Sequence, residues 1–389
     1  MTRAATPEFA LVAACCRWPA SPVRIAAVQA AAQGIDWDAF LRTAARHRVT
    51  ALVRHGLRDA GIAPPPAIDR ALGDTAAAAA RAALAMAHET LRLQGAFDAA
   101  AIPVLFVKGS PLALLAYGEL GIKQSWDIDL LVMPEQLLPA RHLLESLGYV
   151  LILPEADDAG FARFARVAKE AVFHHPARGV HVELHWRLID NHRMLPGIDS
   201  RSPGQAVVLG GRAIRTLQPE PLFAYLCLHG TRHGWFRLKW IADVAALLAR
   251  GDPAETGRLH RAAITLRAGR ASAVALLLCH DVLGLALPPD LARALRGDRR
   301  TRMLLATARA CLAEEKAEFG PYSPAGLRML ASHFLIGGRA DAWSELRQKW
   351  RSADDRALLA LPRALDFGYD LLRLPLLVSR RIRLAWRKP

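Results

Sequence analysis

The length, composition and charge of the chain exclude several classes of protein. Its 389 residues are enough for two or three domains, and a core of that size needs no disulfide bonds for stability. Five cysteines without motif spacing, and no cleavable apolar leader, predict buried reduced thiols in a cytoplasmic protein. No run of ~18 uncharged apolar residues predicts a spanning helix. The net charge of +15 suits a protein that binds polyanions, and the alternative is that it reflects only a GC-rich genome.

The first hundred residues predict helices. Residues 1–60 contain several short helical segments, one of them capped at Ile35-Asp36-Trp37, and prolines interrupt the pattern at 64–66. A long alanine-rich helix is predicted from about residue 68 to residue 100. Nothing in this region carries chemistry on its own. We therefore interpret it as a brace that packs against the sheet that follows.

Residues 104–132 carry the pattern around which the rest of the chain is organised. An apolar run, 104–107, ends in Lys108-Gly109-Ser110, and a second apolar run contains Asp127 and Asp129. The pattern predicts a strand, a phosphate-binding turn, a helix, a loop at 118–125 and a second strand. Because only glycine lets a backbone approach a phosphate so closely, Gly109 and Ser110 are predicted to hold the outer phosphates of a nucleotide.

The two acids of the second strand predict a metal site. Side chains two residues apart on a strand point the same way, so Asp127 and Asp129 project together while Ile128 and Leu130 turn to the core. Two close carboxylates repel each other unless a cation lies between them, and hard oxygen ligands suit magnesium or manganese. We expect that neutralising either acid would slightly stabilise the metal-free protein.

The following residues predict the remainder of a small mixed sheet. A helix over 133–147, a strand over 149–153, a short helix over 161–168 and a hairpin across 176–179 precede a loop at 196–211. The second hairpin strand carries His181, Glu183 and His185 on one face. Two imidazoles and a carboxylate can hold zinc or iron, which is the alternative to a magnesium site.

The C-terminal half predicts helices. Pro219-Glu220-Pro221 begins one helix, on which His229 and His233 share a face. Gly230 stands where a zinc protease would need glutamate, which excludes that class. A cluster of cations suited to triphosphate oxygens is predicted next. Its members are Arg232, His233, Arg237 and Lys239.

The basic segment 371–386 alternates aliphatic and basic residues. It predicts either weak contact with a membrane surface or a helix that packs its leucines on the domain.

These motifs resemble the uncharacterised bacterial branch of the DNA polymerase β-like nucleotidyltransferases. The resemblance covers roughly residues 90–245, with a weaker similarity near 37–57. The residues that carry it are Lys108, Gly109, Ser110, Tyr117, Lys123, Asp127, Asp129, His229, Trp235 and Asp243. The resemblance implies a third carboxylate between apolar neighbours on a later strand, and Glu183 matches that position.

The expected fold is α+β, a small mixed-sheet nucleotidyltransferase palm flanked by N-terminal and C-terminal helical regions. The expected domain limits are 1–92, 93–215 and 216–389. The resemblance implies metal-dependent transfer of a nucleoside monophosphate from a nucleoside triphosphate (NTP) to a hydroxyl group of a protein, peptide, small molecule or RNA, with release of pyrophosphate. Catalysis and binding of Mg²⁺ (or Mn²⁺) are assigned to Asp127, Asp129 and Glu183. Nucleotide binding is assigned to Lys108, Gly109, Ser110, Lys123, His229 and Lys239.

Three alternatives remain open. One is a catalytically inactive partner-binding module on the same fold. Another is a zinc- or iron-dependent enzyme that uses His181, Glu183 and His185. The third is a nucleic-acid-binding protein without chemistry, which rests on the net charge alone because no helix-turn-helix, zinc-finger or aromatic RNA-binding signature is present.

Overall fold

The computed structural model describes residues 6–153, 157–251, 253–314 and 323–350, together with 368, 369, 371, 372 and 375. Within these residues the fold is α+β, as predicted, with helices before and after a small sheet. None of the described helices is both long enough and apolar enough to cross a membrane. The basic segment 371–386 lies outside the described residues except for 371, 372 and 375, so its two interpretations stay predictions.

The N-terminal region is helical, as predicted. Its helices are α1 (Pro7–Cys15), α2 (Pro22–Ala31), α3 (Trp37–His47), α4 (Thr50–Asp59) and α5 (Pro66–Ala99). The predicted cap of α3 is present, because the Asp36 carboxylate accepts hydrogen bonds from the backbone N–H groups of Asp38 and Ala39. The 34 residues of α5 extend over about 50 Å, and its C-terminal half packs on the sheet as a brace.

The middle of the chain forms the predicted mixed sheet. Its elements are β1 (Leu105–Phe106), α6 (Ser110–Tyr117), β2 (Asp127–Leu131), α7 (Leu137–Ser146), β3 (Val150–Leu153), α8 (Asp158–Ala165), β4 (Glu170–His175) and β5 (Val180–His185). The strand order is β1-β2-β5-β4-β3. The β2 and β5 strands run parallel and the other neighbours antiparallel, so the predicted hairpin between β4 and β5 is confirmed.

A second hairpin corrects the prediction of a loop over 196–211. Strands β6 (Gly204–Leu209) and β7 (Arg212–Leu217) pair antiparallel across a two-residue turn. Both turn residues, Gly210 and Gly211, have positive φ, which matches the turn type that best fits the twist of a hairpin. Leu209 and Ile214 turn inward and extend the core of the sheet.

The C-terminal region is again helical. Its helices are α9 (Pro219–Arg232), α10 (Leu238–Ala249), α11 (Pro253–Thr265), α12 (Gly269–Leu283), α13 (Pro289–Gly297), α14 (Arg299–Leu312), α15 (Pro324–Ile336) and α16 (Arg339–Trp350). One apolar core joins α1–α4 to α9–α14, and a second lies under the sheet. All five cysteines are buried and free, as predicted. The domain limits stay a prediction, and the first of them falls inside α5.

The two faces of the sheet have different surroundings. Ile128, Leu130, Val182 and Leu184 point into the core shared with α5, α7 and α8. Because side chains alternate along a strand, the residues between them on β2 and β5 point to the opposite face. That face carries the predicted acids.

Candidate active site

The loop between β1 and α6 forms the predicted turn. Gly109 has φ 68° and ψ −131°, a conformation that residues with a side chain rarely adopt. A Cβ atom built on Gly109 would lie 3.8 Å from the carbonyl oxygen of Asp127, so the turn runs beside the first acid. Lys108 and Gly109 line a cavity beside the sheet, whereas Ser110, the first residue of α6, does not line it and is 7% exposed.

The parallel pairing of β2 and β5 brings Asp129 opposite Glu183. The Nε2 atom of His185 lies 3.2 Å from Asp129 Oδ1 and 3.4 Å from Glu183 Oε2. One potential ligand atom from each of these three residues lies within 4.8 Å of the other two. Among the described residues, this is the group that could hold a metal ion. Asp127 lines the same cavity but is not a member of the group.

A buried ion pair corrects one expectation about the acids. Lys108 Nζ lies 2.8 Å from Asp129 Oδ1, and the Asp129 side chain is fully buried. Burial would raise the pKa of Asp129, but Lys108 and His185 lower it overall. Burial would likewise lower the pKa of Lys108, and Asp129 raises it overall. The expectation that removing the Asp129 charge stabilises the protein is therefore wrong, because that charge already has a partner.

The other oxygen of Asp129 supports a cation at this position. Asp129 Oδ2 is buried and accepts no hydrogen bond from any described residue. A buried carboxylate oxygen without a donor is costly, and a bound cation would compensate it. Two carboxylates and an imidazole nitrogen also form a suitable donor set for a divalent ion. The residues present therefore fit a divalent cation.

His181 does not belong to this group. It faces His174 on β4, with the ring centroids 4.6 Å apart, and it is exposed to solvent. The structure therefore does not bring together the predicted zinc or iron triad of His181, Glu183 and His185; it replaces His181 by Asp129.

A cavity of about 600 Å³ lies between the acid-bearing face and the C-terminal helices. All the assigned site residues line this cavity except Asp129 and Ser110, which are buried next to residues that line it. Those that line it are Lys108, Gly109, Lys123, Asp127, Glu183, His229 and Lys239. The lining residues that sequence reasoning missed include Arg48, Trp126, Lys169 and Tyr225. Of these four, only Trp126 had a local signal, since it directly precedes Asp127.

Lys123 is held on the helical side of the cavity. Its Nζ lies 3.4 Å from Asp243 Oδ2, and the Tyr117 hydroxyl donates a 2.9 Å hydrogen bond to Asp243 Oδ1. Three residues that carry the family resemblance thus form one network. It joins the loop before β2, α6 and α10, and so fixes the distance between the sheet and the helices.

Three of the four predicted cations, Arg232, His233 and Lys239, line the cavity, but Arg237 does not. Burial and the nearby Lys108 lower the pKa of His233 to about 4, so its imidazole is neutral. Arg232 is neutralised, because its guanidinium donates 3.0 Å hydrogen bonds to Glu345 and Asp190. Arg237 is buried over the ring of Phe236 and does not line the cavity. These contacts could not be predicted from the sequence, because Asp190 and Glu345 come from distant parts of the chain.

His229 and Lys239 lie in the cavity with different charges. Burial, together with the nearby Lys108, holds the pKa of His229 well below its ordinary value, so this imidazole is neutral. Burial and the neighbouring Lys123 lower the pKa of Lys239 to about 7. Lys239 forms no ion pair within the described part of the chain, so its ammonium group is available to an anionic ligand.

A comparison with known families gives a match over most of this architecture. The model of a family described as an uncharacterised nucleotidyltransferase matches residues 33–284, more than half of the chain. The chain belongs to this nucleotidyltransferase family. No curated protein and no solved structure gave a match. The matched residues of this nucleotidyltransferase include the turn, both acid-bearing strands, and α9 and α10.

Proposed function

We propose that this protein transfers a nucleoside monophosphate from an NTP to a hydroxyl acceptor, with Mg²⁺ or Mn²⁺ as cofactor and pyrophosphate as second product. The observation that carries the proposal is the meeting of two motifs in one cavity. The glycine turn after β1 lies beside Asp127, and Asp129 and Glu183 follow on the same face of the sheet. Phosphate binding and charge stabilisation are thus available at one place, as nucleotidyl transfer requires.

The different exposure of Asp129 and Glu183 supports different roles for these two acids. The Asp129 side chain is fully buried, whereas 27% of the Glu183 side chain is accessible from the cavity. Of these two acids, Glu183 is the one that an acceptor can reach, and we assign it the proton of the attacking hydroxyl group. The hydroxyl oxygen forms a bond to the α-phosphorus while the bond from that phosphorus to the bridging oxygen breaks. The electron pair leaves with pyrophosphate.

The remaining assigned residues bind the nucleotide. The backbone at Gly109 and the helix that begins at Ser110 lie close enough to the acids to hold the outer phosphates. Lys239 supplies a positive charge that no described acid pairs with, and the neutral His229 offers a hydrogen bond. Lys108 and Lys123 also lie in the cavity, where Asp129 and Asp243 hold them in place. A divalent ion held by Asp127, Asp129 and Glu183 would polarise the phosphate and stabilise the charge on the leaving group.

Label transfer tests the proposal directly. The purified protein is incubated with a cell lysate, Mg²⁺ or Mn²⁺, and each NTP labelled at either the α- or the γ-phosphate. We expect an acceptor to gain the α label and not the γ label, and the Asp127→Asn variant to transfer neither. Transfer of the γ label would instead show a kinase reaction.

Gly109→Val is expected to weaken nucleotide binding more than it destabilises the fold. The valine side chain would project from the turn, and its positive φ costs about 1–3 kcal/mol. Gly61→Val is the matched control, because Gly61 has the same φ of +68°, open space around it, and no place in the cavity. Both variants should lose stability in urea unfolding, but only Gly109→Val should lose affinity for NTP in calorimetry. If both variants bound NTP as tightly as the wild-type protein, the phosphate-binding turn would have to lie elsewhere in the chain.

Lys239 is expected to make nucleotide binding depend on pH. Its pKa of about 7 means that the free protein carries a partly neutral Lys239 near neutral pH. Phosphate favours the charged amine, so binding should take up protons there, and affinity should fall as the pH rises through 7. Lys239→Met should therefore weaken binding about 10- to 100-fold at pH 6 and much less at pH 8.5. Calorimetry in buffers of different ionisation enthalpy measures the proton uptake; the same loss at both pH values would contradict the assignment.

The inactive partner-binding module is less well supported. Such a module has no need of a buried carboxylate oxygen without a donor, and Asp129 Oδ2 is one. Absence of both label transfer and divalent-ion binding would favour that alternative.

A further inference from the structure

His185 is placed as a metal ligand would be. Its Nε2 atom faces the two carboxylates of the cluster, at 3.2 Å from Asp129 Oδ1 and 3.4 Å from Glu183 Oε2. Two donors that bind one ion at about 2.1 Å in neighbouring positions lie about 3.0–3.4 Å apart, depending on whether the geometry is octahedral or tetrahedral. Both observed distances fall in or at the edge of this range. The imidazole therefore needs little movement to coordinate an ion together with the acids.

The surroundings of the ring keep it in that position. His185 lies on β5 between β2 and β4, lines the cavity, and is only 1% exposed. On its far side, Nδ1 lies 3.1 Å from Glu170 Oε2, although the two atoms do not form a hydrogen bond. A carboxylate behind the second ring nitrogen is the usual way in which proteins orient a metal-binding histidine.

A third observation comes from the acid next to it. Asp129 is 2% exposed, and while its Oδ1 lies beside His185 and Lys108, its Oδ2 has no hydrogen-bond donor among the described residues. The cluster is thus more than a group of acidic side chains. It combines an unsatisfied buried oxygen, a second carboxylate and a fixed imidazole nitrogen.

We propose that His185 Nε2, Asp129 and Glu183 together coordinate one divalent ion, and that this nitrogen ligand makes the site prefer transition-metal ions to Mg²⁺. The inference rests on the proposed function and specifies its cofactor. Oxygen ligands alone suit Mg²⁺, whereas imidazole favours the transition series, of which Mn²⁺ also accepts oxygen ligands well. The rival interpretation is that His185 only orients the carboxylates through hydrogen bonds.

Pulsed electron paramagnetic resonance of the Mn²⁺-loaded protein separates these two roles, because a directly bound nitrogen modulates the signal. We expect ¹⁴N modulation in the wild-type protein and its replacement by ¹⁵N frequencies when histidine is ¹⁵N-labelled. The modulation should disappear in His185→Gln and persist in His181→Ala, the matched control from the same face of β5. Binding titrations should show that His185→Gln weakens Mn²⁺ by at least about tenfold and Mg²⁺ much less.

Each outcome decides a different point. Bound Mn²⁺ without nitrogen modulation would overturn the inference and leave the proposed function intact, because Mn²⁺ would still bind through oxygen. Modulation that survives in His185→Gln and is lost in His181→Ala would also overturn it. Failure of the wild-type protein to bind Mn²⁺ or Mg²⁺, with or without NTP, would overturn the proposed function as well. The labelled wild-type measurement needs no variant, so a poorly folding His185→Gln does not remove the test.

Discussion

Asp129→Asn is expected to abolish nucleotidyl transfer and also to destabilise the metal-free protein. The side chain of Asp129 is fully buried beside Lys108 Nζ at 2.8 Å, and asparagine would leave that ammonium group without its partner. Breaking a buried pair by removing one charge costs about 3–5 kcal/mol. Urea unfolding in the presence of a chelator measures the stability, and α-label transfer measures the activity.

Asp127→Asn is the matched control for this effect. Asp127 lies two residues earlier on the same face of β2, but it forms no ion pair within the described residues and is partly accessible. This variant should lose transfer while keeping the unfolding free energy of the wild-type protein. If Asp129→Asn proved as stable as Asp127→Asn, Lys108 would not depend on Asp129, and our account of the charges in the site would be wrong.

Glu183→Gln is expected to lower turnover by about 10²–10⁴-fold, the usual contribution of a positioned general base. Glutamine keeps the size of the side chain but cannot take the proton of the acceptor. NTP affinity should change little, because the turn at Gly109 and the ammonium group of Lys239 remain. Rapid-quench kinetics at saturating NTP measure the turnover, and calorimetry measures the affinity.

His181→Ala provides the comparison for Glu183→Gln. His181 lies two residues before Glu183 on the same strand face, but it is exposed and faces His174. Its replacement should leave turnover nearly unchanged. A large loss of turnover in His181→Ala, with Glu183→Gln still active, would instead support a zinc or iron site that uses histidine ligands.

Local patterns in the sequence predicted the elements that local physics determines. The alternation of Asp127, Ile128, Asp129 and Leu130 predicted both the strand and the direction of the acids, because side chains on a strand alternate with a period of two. Proline, glycine and a capping aspartate predicted where helices begin and hairpins turn. The β6–β7 hairpin was missed although the Gly210-Gly211 pair between two β-rich runs was a sufficient signal.

The same local patterns could not predict contacts between residues that are distant in the sequence. Alternation placed His185 on the face of Glu183, but only the parallel register of β2 and β5 brings it to Asp129. The charge state of a side chain likewise depends on its tertiary contacts. His229 is neutral because of burial and Lys108, and Arg232 is neutralised by Asp190 and Glu345, more than 40 and 110 residues away in the sequence.

The apolar core that joins α1–α4 to α9–α14 has a consequence for how the protein is made. The ribosome releases the N-terminal helices first, while the helices that cover them follow more than 150 residues later. At about 5–20 residues per second, that interval lasts on the order of ten seconds. Throughout it, part of the apolar surface of the nascent helices faces water, where chaperones bind. The helical side of the cavity can therefore assemble only after synthesis has passed α9 and α10, because residues of these two helices line it.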